Sequence, residues 1–348
     1  MKTHKNRDPQ EVLQALEGFL AAGDGESHIL LDMLHSVVRF MNDGPDRGDM
    51  KMLHQAFKEL RYGLKVFAPY RHVRKVSVFG SARTAPEAME FEQARKFANL
   101  MARSGWMVIT GAGPGIMEAA QGGAGRAHSF GVNIRLPFEQ EANDVIAKDP
   151  KLVNFKYFFT RKVMFVKEAD AIALFPGGFG THDELFESLT LIQTGKCQPL
   201  PVVLVDTPGG SYWEDWKGYI EGHLRERGLI DERDTKLFEV THDLDRAVEI
   251  VQSFYRNYDS LRFVRNRLVL RVKRPVSDAL LERLNVSFSD LVARGKIERT
   301  LAFAEEDDEP ETRDLHRLVL DFDRKSYSRL RQLIDFLNEE PSSKRSVG

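Results

Sequence analysis

Three times in this chain a short apolar run ends in a glycine-rich turn and reopens as a helix. Val76-Ser-Val-Phe79 runs into Gly80-Ser-Ala-Arg83, and Trp106-Met-Val-Ile109 runs into Thr110-Gly-Ala-Gly-Pro-Gly115. Ala171-Ile-Ala-Leu-Phe175 runs into Pro176-Gly-Gly-Phe-Gly-Thr-His-Asp-Glu184, after which Leu185, Leu189 and Ile192 recur at helical spacing. A short continuous apolar run bounded by turn residues reads as a strand buried on both faces. A strand, a glycine turn and a helix form the layout in which a backbone closes on an anion. Glycine removes Cβ, and the first N–H groups of the helix, at the positive end of its dipole, favour negative charge. The third turn therefore predicts a phosphate site.

The rest of the chain follows that rhythm. Helical periodicity occupies about 87–103, and Ile116-Met-Glu-Ala-Ala-Gln-Gly-Gly-Ala continues the second turn as a helix of small residues able to pack closely on a sheet. Gly131-Val-Asn-Ile134 is a third strand, followed by 136–143; 155–159 reads as a further extended segment and 161–168 as a short helix. Pro201-Val-Val-Leu-Val205 is another strand, with helices near 212–226 and 243–254. Strands alternating with helices give an α/β fold, a Rossmann-like doubly wound parallel sheet whose ligands sit at the carboxyl ends of the strands. Before it, residues 9 to about 68 read as helical: Val12, Leu13, Leu16 and Leu20 form one stripe, Leu30 to Met41 a second, and Leu53, Phe57, Leu60 and Leu64 a third. After it, 268–272, 297–303 and 318–322 read as strands, and 276–294 and 326–339 as helices, with 305–310 a solvated acidic loop. The expected domains are a helical N-terminal extension over 1–70, the Rossmann-like domain over 71–256, a small α+β C-terminal appendage over 257–340 and a frayed tail over 341–348.

Composition narrows the function. Of 348 residues, 42% are hydrophobic and 29% charged, with a formal net charge of −2, so no basic surplus points to nucleic acid. The single cysteine, Cys197, excludes a disulfide framework and a thiolate metal cluster, which fits a reducing cytoplasm. The polar N-terminus is not a signal peptide, no apolar run is long enough for a bilayer, and no H-E-x-x-H or H-x-x-E-H pattern predicts a metal. No cofactor is expected, and neither a nucleic acid nor a membrane is an expected partner.

The residues able to do chemistry admit two readings each. Thr181-His-Asp-Glu184 fits a capping box, in which Thr181 and Glu184 only close the helix start. Alternatively, Glu184 is a carboxylate beside an anion site, where it raises local negative charge and suits a developing oxocarbenium-like cation. Arg161 and Lys162 are either solvated or face the phosphate; an Arg161 facing the site can hold a carboxylate with its planar fork. Gly111-Ala-Gly-Pro-Gly115 is a weak signal, since its spacing is not that of the dinucleotide fingerprint. Arg83 reaches an anion or pairs on the surface, and Asn133 and Glu139 line the pocket or are turn residues.

Taken together, these marks resemble the LOG ("lonely guy") family, whose members carry P-G-G-x-G-T-x-x-E after an upstream R-K. They are Pro176 to Glu184, Arg161-Lys162, Gly80-Ser-Ala-Arg83 and Thr110-Gly-Ala-Gly-Pro-Gly-Ile-Met-Glu118, within about 70–254. The segment 131–140 looks like the larger bacterial branch. The resemblance implies a phosphoribohydrolase that cleaves a nucleoside 5′-monophosphate, AMP or an N6-modified AMP, to free base and ribose 5-phosphate. It places phosphate binding on Gly178, Gly180 and Thr181, catalysis on Arg161 and Glu184, and base or ribose contacts on Ser81, Arg83, Gly113, Met117 and Glu118. It also implies at least a homodimer. Here the second turn departs from the family, whose compact members carry three successive glycines. His182 and Asp183 occupy variable positions that bear on the base accepted. A nucleotide-binding sensor or carrier would use the same turns with less need of Glu184 and Arg161. A decarboxylase would need a pyridoxal-phosphate lysine, and Lys162 has no evident pyridinium partner in sequence. An NAD-dependent oxidoreductase is weakened by the glycine spacing.

Overall fold

The computed structural model describes residues 27–135 and 142–339, together with Leu16. The first apolar stripe apart from Leu16, the segment 136–141 with Glu139, and the C-terminal tail lie outside the described residues. By compactness the chain divides into two units, Met1–Lys58 and Glu59–Gly348. The second and third apolar stripes fall on helices α1 (Ser27–Asn42) and α2 (Arg47–Phe67).

A seven-stranded, wholly parallel sheet organises the second unit. Its elements, in chain order, are β1 (Lys75–Phe79), α3 (Met89–Arg103), β2 (Met107–Thr110), α4 (Ile116–Ala124), β3 (Ser129–Ile134), β4 (Leu152–Phe155), α5 (Phe158–Lys167), β5 (Ala171–Leu174), α6 (Phe179–Gln193), β6 (Val202–Val205), α7 (Tyr212–Tyr219), β7 (Phe238–Thr241) and α8 (Leu244–Phe254). The strand order is β4-β3-β2-β1-β5-β6-β7, so the chain winds outward in both directions from β1 and β5. Every residue of β1, β2, β5 and β6 is buried, which is why β2, β5 and β6 read as apolar runs without alternation, while β1 carries the buried Ser77 between Val76 and Val78. The sheet is the expected doubly wound one.

Several local expectations are corrected. The extended segment at 155–159 ends as strand β4 at Phe155, and α5 begins at Phe158, three residues before Arg161. The small residues of α4 serve helix packing as well as the sheet. A Cβ on Gly123 would lie 1.9 Å from the backbone oxygen of Arg95 on α3, and Asn99 Nδ2 donates to the Gly123 carbonyl at 3.1 Å. Strand β7 has no mark in the sequence analysis above.

A second, antiparallel sheet follows, built from β8 (Tyr258–Val264), β9 (Arg267–Val272), β10 (Val292–Thr300) and β11 (His316–Phe322), in the order β10-β11-β9-β8. Helices α9 (Asp278–Ser287) and α10 (Tyr327–Glu339) complete it. The helix expected over 276–294 stops at Ser287 because the chain turns there into β10. Apolar residues of this sheet and its helices, such as Leu268, Leu320 and Leu333, share one continuous core with Val76, Phe97 and Phe254 of the larger sheet and its helices. The acidic loop at 305–310 is not wholly solvated. Glu306 is 4% exposed and binds Arg271 of β9 (Oε1 to Nη2, 2.7 Å) and Arg317 of β11 (Oε2 to Nε, 3.0 Å). No helix among the described residues is long and apolar enough to cross a membrane.

Candidate functional site

The winding reverses between β1 and β5, and there the loops leaving the two strands separate at their carboxyl ends. Backbone hydrogen bonds lace the three glycine turns together at this point. Ser81 N donates to Pro176 O at 3.1 Å, and Ile116 N donates to Ser81 O at 3.1 Å. Gly115 has φ of 67°, and a Cβ there would lie 2.4 Å from Ser81 O. On the far side of the second turn, Asn143 N donates to Ala112 O at 2.9 Å, and its Nδ2 donates to Gly113 O and Gln121 Oε1.

Gly177 is fixed by close approach. A Cβ on it would lie 2.1 Å from Thr181 Oγ1 and 2.9 Å from Ser81 N, whereas one on Gly178 or Gly180 meets nothing within 4 Å. Gly177→Ala is therefore expected to lose roughly 1–3 kcal/mol of stability in urea unfolding by overpacking. Gly178→Ala should lose less than about 1 kcal/mol. Equal losses would remove the assignment of Gly177 as the pinned residue.

Helix α6 starts at Phe179 with Gly178 as its N-cap, and no side chain caps it. The capping box is thus not formed: Thr181 and Glu184 both lie inside the helix. At the helix start the Thr181 amide donates to Gly178 O at 3.0 Å, and the backbone at Gly178 and Gly180 borders open space. Four residues beyond Gly180, about 6 Å along the axis, stands Glu184, only 6% exposed. Its Oε1 is 3.6 Å from Lys162 Nζ. Its Oε2 is buried with no hydrogen-bond partner among the described residues. Burial pushes the carboxyl up from 4.5 to about 7; Lys162 and Arg161 pull it down, and Glu187 and Asp183 push it up. Lys162 Nζ also reaches Asp183 Oδ2 and Glu187 Oε2, both at 2.8 Å. Burial opposes its charge, but these two hydrogen bonds and the carboxylates around it raise its pKa, so it stays protonated.

Arg161 comes to the same place from α5. A Cβ on Gly111 would lie 3.1 Å from Arg161 Nη2 and 2.8 Å from Met117 Sδ, and one on Gly113 would lie 2.7 Å from Met117 Cε. The second glycine turn thus makes room for the arginine and the methionine together. Of the other residues singled out in the sequence, Ser81 spends its hydroxyl on the turn, accepting from Arg83 N at 3.0 Å. The Arg83 side chain is exposed and Glu118 is half-buried, and no hydrogen bond or ion pair ties either side chain to the cluster. Asn133 pairs across the sheet with Asn154.

The structure adds residues that spacing did not reveal. Tyr212 Oη donates to the carbonyl of Gly177, and His182 Nε2 lies 2.7 Å from the same Oη. The Pro176–Glu184 turn is thereby held from α7, and no pattern in the sequence links positions 35 residues apart. Burial lowers the pKa of His182, favouring the neutral ring. Burial pushes the Cys197 thiol up to about 11, away from the thiolate form a nucleophile needs. A cavity of about 990 Å³ opens at the amino ends of β1 and β5, lined by Arg74, Asp170, Tyr258 and Lys273 among others, and contains none of the residues of the switch point.

Parts of the chain are similar to known proteins. Residues 115–251 match the family model described as "Possible lysine decarboxylase". The pyrimidine/purine nucleotide 5′-monophosphate nucleosidase of Escherichia coli (strain K12) is 32% identical over 202 residues, which are 56% of this chain and 44% of that protein. The chain thus spans less than half the length of the curated relatives it matches. Among solved structures, it is similar to the molybdenum cofactor binding protein of Rippkaea orientalis (19% identity, TM-score 0.39, 52% of this chain and 96% of that one). The molybdenum cofactor carrier protein of Chlamydomonas reinhardtii is 22% identical, with a TM-score of 0.37 over 52% of this chain and 96% of that one. The matched residues 115–251 contain Arg161-Lys162 and the Pro176–Glu184 turn assembled at the switch point, so this part of the chain is similar to that family, and the same residues carry the resemblance to the LOG family.

Proposed function

We propose that this chain hydrolyses the N-glycosidic bond of nucleoside 5′-monophosphates, releasing a free base and ribose 5-phosphate. The observation that carries this reading is Glu184, a buried carboxyl at about 7 set one turn behind an uncapped glycine helix start. The separation along α6 is comparable to the reach from a 5′-phosphate to C1′ of the same ribose. A phosphate on the amides at Gly178 and Gly180, beside Thr181, then presents C1′ to Glu184.

In this mechanism the C1′–N bond breaks as water attacks C1′. Ionised Glu184 stabilises the cationic ribose and takes the proton of the attacking water. Arg161 helps the departing base accept a proton, and Met117 with Gly113 borders the base and ribose. A covalent intermediate is not invoked, because a second carboxylate set at retaining distance is not part of the motif. Water is the only co-reactant, and no cofactor takes part. The substrate we favour is a purine nucleotide, AMP or an N6-modified AMP, and the active form we favour is at least a homodimer.

The test is a panel of nucleoside 5′-monophosphates assayed for free base, with the matching nucleosides as control. AMP should yield adenine at least about a hundredfold faster than adenosine, since phosphate anchoring supplies the orientation. Equal rates would sink the anchor. Tight AMP binding with no adenine would instead make the chain a nucleotide carrier or sensor.

A further inference from the structure

Helix α5 carries Arg161 and Lys162, yet its own sequence does not cap it. The N-cap residue is Tyr157, which makes no side-chain cap, and the first turn contains no acidic residue. The missing carboxylate comes from α2, about a hundred residues upstream. Glu59, 4% exposed, accepts from Lys156 N through Oε1 at 2.7 Å and from Thr160 Oγ1 through Oε2 at 2.6 Å. Both donors sit at the start of α5, where a negative charge also suits the helix dipole. One turn along α2 from Glu59, a Cβ on Gly63 would lie 3.2 Å from Met164 Sδ and Cε, so the two helices meet closely on the other side of the basic pair. Arg161 directly follows Thr160.

We propose that Glu59 is a positioning residue for Arg161 and Lys162, and through them for the ionisation of Glu184. The proposal rests on the hydrolase reading above for its kinetic consequence, but not for its structural one. The Glu59 carboxylate fixes the axial position and rotation of the first turn of α5. Those fix how near the two cations stand to Glu184, whose pKa both hold down. If the first turn loosens, the cations retreat and the carboxyl is left more strongly raised by its burial. The segment of α2 from Glu59 onward thereby positions the helix that carries the two cations.

The experiment compares Glu59→Gln, Thr160→Val and the double variant with wild type in the full chain. Glu59→Gln keeps one acceptor and loses the charge and the second acceptor; Thr160→Val removes the same hydrogen bond from the other side. In each, kcat for AMP should fall about tenfold, with KM within about twofold because the phosphate turn lies on α6. The acid limb of the pH–kcat profile should move to higher pH, which a merely structural role would not cause. The double variant should be no slower than the slower single, because both break one interaction. Wild-type kcat and an unmoved limb in folded variants overturn the proposal. If Glu59→Gln does not fold, Thr160→Val carries the same test. If wild type itself hydrolyses no nucleotide, the hydrolase reading has failed, and the titration of Glu184 followed by carbon NMR decides alone. A shift to higher pH in the variants supports the proposal, and an unchanged titration ends it.

Discussion

Glu184→Gln is expected to bind AMP within about threefold of wild type and to release adenine roughly 10²–10⁴ times more slowly, the range lost with a general acid–base group. The phosphate is proposed to sit at Gly178, Gly180 and Thr181, so binding is not expected to need the carboxylate. Wild-type activity should fall about tenfold per pH unit below about 7, where Glu184 becomes protonated, and level off above it. The same residue carries a stability signature. Its folded pKa is raised, so its contribution is fully present below 4.5 and is lost as pH rises through about 7. At about 1.4 kcal/mol per unit, a rise from 4.5 to about 7 makes the ionised carboxylate cost about 3 kcal/mol at pH 8. Glu184→Gln should therefore be more stable than wild type at pH 8 by an amount of that order, with the gain fading towards pH 4. Urea unfolding at the two pH values reads this directly. A variant that keeps wild-type adenine release would refute the catalytic role, and one that is destabilised at pH 8 would refute the burial argument.

These consequences show what could be read from the sequence. Strands β2 and β5 were legible because burial on both faces makes them apolar runs, β1 because only the buried Ser77 interrupts Val76, Val78 and Phe79, and their turns because Gly80, Gly115 and Gly177 leave no room for a Cβ. What the sequence could not decide was the start of α6. A T-x-x-E spacing serves equally a cap and an interior carboxylate, and only the position of Gly178 as N-cap distinguishes them. The partners of the site were equally silent. Tyr212, Asn143 and Glu59 reach it across about 30 to about 100 positions, through hydrogen bonds that leave no periodicity. Lys162 was visible as half of a basic pair, but its grip on Asp183, Glu184 and Glu187 depends on α5 facing α6. Strand β7 was missed for the opposite reason to β1. At the sheet edge, Glu239 and Val240 are only half-buried, so Phe-Glu-Val-Thr lacks the apolar run that marks the inner strands.

The acidic loop at 305–310 makes the same point with a larger energy at stake. Arg271 and Arg317 are register partners on adjacent antiparallel strands, 2% and 3% exposed, a pairing of like charges that alone is unfavourable. Glu306 makes it tolerable: its carboxylate takes Arg271 Nε at 2.8 Å, Arg317 Nε at 3.0 Å and the backbone amide of Phe303 at 3.0 Å. Burial alone would raise the Glu306 carboxyl, but the Phe303 amide and the two guanidinium groups outweigh it and hold it below its ordinary value. With a depressed folded pKa, its contribution is present at neutral pH and is lost as pH falls through the acid range. Glu306→Ala leaves two buried guanidinium groups without their shared anion and is expected to cost about 3–5 kcal/mol. Replacing Arg271, Arg317 and Glu306 together by apolar residues of similar volume should recover most of that loss, because the desolvation of all three charges disappears with them. Urea unfolding of both variants at pH 7 gives the two numbers. If Glu306→Ala falls within about 1 kcal/mol of wild type, the loop behaves as the solvated linker its composition suggests, since exposed pairs contribute no more than that. A full loss would show instead that one glutamate in an acidic run binds β9 to β11 and with them the second sheet.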